Sequence, residues 1–81
     1  MTVRVLAFAR LRELLGFHER RLALGDGATI DDVWTALASD ARPLADLRPS
    51  TRFARNGALA PGTTPLDDGD EIALLPPLGG G

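Results

Sequence analysis

A single long segment of this chain has a helical period, while its other apolar runs alternate with a period of two. That contrast limits the architectures open to it. Between residues 29 and 39, Ile30, Val33, Trp34 and Leu37 recur at i, i+3, i+4 and i+7 and form one apolar stripe. Thr29 suits the N-cap, and Asp31 and Asp32 fall in the first turn, where the helix dipole favours negative charge. The stripe needs a partner surface, and the remaining segments offer strands for one. Residues 2–8 place Val3, Val5 and Ala7 on one face and Arg4, Leu6 and Phe8 on the other. A short helix follows over residues 10–15, with Gly16 as its C-terminal cap. Residues 19–24 return to strand, with Leu22 and Leu24 inward, and Gly25-Asp26-Gly27 ends them. Asn56-Gly57 joins strands 52–55 and 58–60 as a hairpin, and residues 71–75 form a last apolar strand. Residues 43–47 read as a helical turn with Pro43 at its first position. The expected fold is α+β, a mixed sheet packed on one main helix. Its first and last strands lie side by side, and Trp34 sits in the core.

Composition removes several functions. The 81 residues, 44% of them hydrophobic and 25% charged, allow one core, with residues 1–75 as the domain. The absence of cysteine excludes disulfides, thiolate metal sites and a thiol nucleophile. A net charge of −2 argues against non-specific binding to nucleic acid. No run is long and apolar enough to span a membrane and no secretory pattern opens the chain, so a cytoplasmic protein away from membranes is expected. His18 is the only histidine and has no neighbouring nucleophile, so it reads as a surface residue. Asp67, Asp68, Asp70 and Glu71 crowd together, but their spacing fits no calcium loop. They read as a charged turn, and no metal site is expected. Nothing in the body of the domain forms a catalytic set.

Two features remain. Pro76 and Pro77 lack the N–H groups that would continue a ladder, so pairing should stop at Leu75. Residues 76–81 then form a thin functional tail, Pro-Pro-Leu-Gly-Gly-Gly, reaching roughly 20 Å when extended. Its tip, through Gly79 and Gly80, bears no side-chain bulk and ends on the Gly81 carboxylate. Beside its start, the sheet face away from the helix carries Leu6, Phe8, Leu59, Ala73 and Leu75, where polar residues are usual. A contiguous patch of this kind reads as a protein-docking surface that also takes in Pro76, Pro77 and Leu78.

The stretch Ala9-Arg10-Leu11-Arg12-Glu13-Leu14-Leu15-Gly16, with Gly27-Ala28-Thr29-Ile30 and Asn56-Gly57, leads to the run Gly69-Asp70-Glu71-Ile72-Ala73-Leu74-Leu75-Pro76-Pro77-Leu78-Gly79-Gly80-Gly81. Together these resemble the small subunit of molybdopterin synthase, the MoaD branch of the MoaD/ThiS ubiquitin-like sulfur carriers. The resemblance spans essentially the whole chain. It implies a ubiquitin-like β-grasp with a flexible C-terminal Gly-Gly tail. In that family an E1-like adenylyltransferase uses ATP to adenylate the terminal glycine, here Gly81. A sulfurtransferase or cysteine desulfurase supplies the sulfur that makes it a thiocarboxylate. The tail then enters the molybdopterin synthase large subunit, within a heterotetramer, and donates sulfur to cyclic pyranopterin monophosphate for molybdenum cofactor. The resemblance therefore implies a non-catalytic sulfur-carrier subunit that binds no cofactor, with the catalytic residues on the large subunit. Phe8, Leu59 and Leu75 match the family's docking positions. Three departures accompany the match. Gly79 stands where this branch more often has Ala, Ser or Thr, Ala7 replaces a frequent second aromatic, and Arg55 stands where an apolar residue is usual. A triple-glycine end is commoner in thiamine-type carriers. Sulfur donation to thiamine thiazole, cysteine or tRNA thiolation, and conjugation as a ubiquitin-like modifier, are the alternatives.

Overall fold

A computed structural model describes residues 1–77, so the tail expectations for Leu78, Gly79, Gly80 and Gly81 lie outside the described residues. Five strands form one sheet in the order β2–β1–β5–β3–β4. Strand β1 (Thr2–Ala7) runs antiparallel to β2 (Glu19–Ala23) and parallel to β5 (Glu71–Leu75). On its other side β5 pairs antiparallel with β3 (Arg52–Arg55), which forms a hairpin with β4 (Ala58–Ala60). The first and last strands are thus neighbours at the centre, as the sequence predicts. At the hairpin tip Asn56 and Gly57 have φ of 49° and 87°, the two positive values that a type I′ turn requires.

Helix α1 (Ala9–Leu15) crosses out of β1 and ends at Gly16, whose φ of 79° gives the left-handed cap. Helix α2 (Ile30–Asp40) lies across one face of the sheet. Its Ile30, Val33, Trp34 and Leu37 are buried in one cluster with Val3, Val5, Phe53, Ile72 and Leu74. The Trp34 ring meets Phe53 edge-on at 5.9 Å, so Trp34 is a core residue. Thr29 and Asp32 form a reciprocal capping box. The N–H groups of Ile30 and Asp31 donate to the carbonyls of Thr64 and Gly62 at 3.1 and 2.9 Å, so the crossing loop satisfies donors that the helix itself cannot.

Several boundaries differ from the sequence expectation: β1 ends at Ala7 rather than at residue 8, and α1 begins at Ala9 rather than at residue 10. β2 stops at Ala23, one residue early, and Leu24 packs from beyond its end. The turn predicted over 43–47 is a nine-residue 3₁₀ segment, Arg42–Ser50, with Pro43 in its first turn and Pro49 inside. Pro49 offers no N–H to an α-helical ladder, and the segment is fixed by tertiary burial of Leu44, which no local pattern reports.

Candidate functional site

Strand register builds the outer face. Leu6 pairs with Ala73, Ala73 with Ala54, and Ala54 with Leu59, so one row from β1 to β4 carries only apolar side chains toward the side away from α2. The rows beside it are different. On one side Arg4 and Glu71 pair in register and form an ion pair. On the other, Leu75 pairs with exposed Arg52. Arginine and glutamate thus border an apolar stripe that faces away from the core.

The stripe opens at the end of β5 into a groove lined by Phe8, Leu59, Leu75, Pro49, Pro76 and Pro77. Phe8 is 38% exposed and Leu59 68%, both high for large apolar side chains. Phe8 lies just past the end of β1, where its backbone is still extended. The His18 ring meets it edge-on at 6.3 Å. Pro76 and Pro77 also line a second recess with Leu11, Leu47 and Ala9, so the chain leaves β5 between two hollows. The structure thereby brings together Phe8, Leu59, Leu75, Pro76 and Pro77, the described members of the predicted docking set.

At the opposite end of β5 the acidic turn is occupied by protein donors. The backbone N–H of Thr2 donates to Asp68 at 2.7 Å, and Arg4 reaches Glu71. Asp70 is buried and accepts from Arg55 Nε at 2.7 Å, Asn56 Nδ2 at 2.9 Å and the Asp67 N–H at 2.8 Å. Burial alone would raise the Asp70 pKa. The hydrogen bonds from Arg55, Asp67 and Asn56 outweigh that effect and hold it down to about 2. Among the described residues no three His, Asp or Glu side chains converge as a metal site. The turn therefore locks β5 to the β3–β4 hairpin. Arg55 is thus a donor to Asp70, one of the acids that the sequence reads only as part of a charged turn.

A model of the ThiS family matches residues 5–81. The chain belongs to the ThiS family. The molybdopterin synthase sulfur carrier subunit of Chlamydomonas reinhardtii is 36% identical to this ThiS-family chain over 83 residues, covering 100% of each. The solution structure of small archaeal modifier protein 1 from Methanosarcina acetivorans is 31% identical with a TM-score of 0.83, covering 99% of this chain and 96% of that one. A chain in the complex of subunits 1 and 2 of the molybdopterin-converting factor from Helicobacter pylori has a TM-score of 0.68 at 27% identity, covering 100% of each. The fold is accordingly the ubiquitin-like β-grasp of MoaD and ThiS relatives. No helix among the described residues is long and apolar enough to cross a membrane.

Proposed function

We propose that this ThiS-family chain is the sulfur carrier subunit of a molybdopterin synthase. The observation that carries the reading is the apolar groove at the outlet of β5, on a chain that aligns end to end with such a subunit. The groove would give a large subunit a place to dock, and Pro76 and Pro77, which have no N–H to extend the β5 ladder, line it. The complex of subunits 1 and 2 of the molybdopterin-converting factor from Helicobacter pylori supports that partner.

A carboxylate is a poor electrophile. An E1-like adenylyltransferase would couple the Gly81 carboxylate to ATP, forming an acyl adenylate and releasing pyrophosphate. A persulfide on a sulfurtransferase or cysteine desulfurase would then attack the acyl carbon through its terminal sulfur and expel AMP, giving an acyl disulfide. A second thiol would reduce that S–S bond, leaving the donor enzyme's sulfur in a disulfide with that thiol and releasing the thiocarboxylate. That group is ionised at neutral pH and acts as the sulfur nucleophile without any cysteine in this chain. The acceptor on this reading is cyclic pyranopterin monophosphate, held by the large subunit. The chain itself contributes position and a carried atom, and the catalytic side chains belong to its partner.

The test is mass spectrometry of the chain after incubation with the adenylating enzyme, ATP and a sulfur source. The expected product carries one sulfur in place of a terminal oxygen and yields molybdopterin when the large subunit and cyclic pyranopterin monophosphate are added. Removing Gly81, or appending a residue after it, should abolish both signals with the fold intact. The likeness to small archaeal modifier protein 1 favours one other outcome, an isopeptide bond from Gly81 to lysines of other proteins. Conjugates without a thiocarboxylate would replace the carrier reading with that one. A thiocarboxylate consumed only by a thiazole, cysteine or tRNA-thiolating enzyme would keep the chemistry and change the acceptor.

A further inference from the structure

We infer that Ala9 is a positioning residue whose left-handed turn holds the Phe8 ring as a preformed anchor beside the outlet of β5. The inference rests on the docking role proposed above for the face that bears Phe8. Ala9 has φ of +49°, a conformation that crowds the Cβ of an L residue against its own backbone. Among the described non-glycine residues Asn56 shares it, but Asn56 is the first central residue of the hairpin turn, where positive φ is required and asparagine tolerates it. No such turn chemistry surrounds Ala9.

The conformation is imposed from both sides. Upstream, Ala7 is fully buried and its N–H donates to the His18 carbonyl at 3.0 Å. Downstream, Leu11 is 1% exposed in the core, and the N–H groups of Leu11 and Arg12 donate to the Phe8 carbonyl at 3.1 and 3.3 Å. Three residues, Phe8, Ala9 and Arg10, remain to turn a strand into a helix. Phe8 keeps the extended form, with φ −125° and ψ 153°, so Ala9 takes up the change of direction. Because Phe8 stays extended, it continues the alternation of β1 and its ring emerges on the outer face, opposite Ala7. His18 then flanks the ring, and Ala9 itself lines the groove. Strain that a structure retains beside a binding surface is a mark of pre-organisation. Glycine could make this turn freely, but would open many others and leave the anchor to be ordered at each docking event.

The test compares Ala9→Gly with a synthetic chain carrying D-alanine at position 9, for which positive φ is the relaxed state. The readouts are affinity for a molybdopterin synthase large subunit, nuclear Overhauser contacts between the Phe8 and His18 rings, and the thermal midpoint. Ala9→Gly should lose ring contacts and bind about two- to tenfold more weakly, with a midpoint no lower than the parent's. The D-alanine chain should restore both contacts and affinity. Parental contacts and affinity in Ala9→Gly would overturn the inference, as would weaker binding that merely tracks a lower midpoint or that D-alanine fails to restore. If the parent chain does not bind the large subunit, the functional reading fails by itself. The ring contacts in the three free chains then decide whether Ala9 holds Phe8.

Discussion

Asp70 is withdrawn from water where β5 begins, and three donors converge on its carboxylate. Because its pKa is held at about 2 against an ordinary 3.8, the folded state binds its proton less readily than the unfolded chain. The carboxylate therefore contributes stability that is fully present above pH of about 4 and is lost as pH falls toward about 2. Replacing Asp70 with alanine removes the acceptor of three hydrogen bonds, one from a charged guanidinium, and should cost about 2–3 kcal/mol at neutral pH. Chemical denaturation at neutral pH and near pH 2 checks this, since the gap between parent and variant should narrow in acid. A gap independent of pH would place the stabilisation elsewhere. This residue also marks where sequence reading stops. Asp67-Asp68-Gly69-Asp70 has turn composition, and nothing local says which carboxylate turns inward. That depends on Arg55, fifteen positions earlier in the chain and adjacent only through β3–β5 pairing.

At the scale of elements, the joint between α2, the crossing loop and the 3₁₀ segment is built around a glycine. The Asp31 N–H donates to the Gly62 carbonyl, and the Asp31 carboxylate accepts from Arg48 Nη2 at 2.8 Å. The Arg48 guanidinium in turn lies 4.5 Å from the centre of the Phe53 ring. A Cβ at position 62 would fall on the Asp31 carboxylate and against Arg48. Both are ends of half-exposed side chains that can swing aside, so Gly62→Ala should destabilise by less than about 1 kcal/mol, chiefly by loosening the Asp31–Arg48 pair, read as a small drop in the thermal midpoint. The exposed hairpin Gly57 has open space around it, but its φ of 87° makes any side chain there costly for a different reason.

The elements with strong internal signals were legible. The stripe on α2, the Thr29 cap, the Gly16 stop and the Asn56-Gly57 turn are each written in a few consecutive residues. So was the apolar outer face, because strand alternation alone assigns Leu6, Phe8, Ala73 and Leu75 to one side. The extent of the 3₁₀ segment was not, nor was the strain at Ala9. Each is dictated by what distant residues bury, and an alanine carries no mark of the backbone angle that its neighbours force upon it.

For the whole molecule, the apolar outer face is separate from the packing that holds the fold. The buried cluster lies between α2 and the sheet, while Phe8 and Leu59 stand on the opposite side. Phe8→Arg and Leu59→Arg should therefore alter stability by less than about 1 kcal/mol. Each should weaken capture by a large subunit by about 2 kcal/mol or more, because charge would enter the centre of an apolar contact. Titration calorimetry beside thermal melts separates the two effects. Parental affinity in both variants would remove this face from the proposed interface.

The place of β5 has a mechanical consequence. It is held on one side by β1 and on the other by β3. A pull on the chain beyond Leu75 runs along that strand and loads both ladders in shear, so their bonds must yield together. An edge strand such as β4 could instead be peeled away one bond at a time. Tension at this end is therefore borne first by the middle of the sheet.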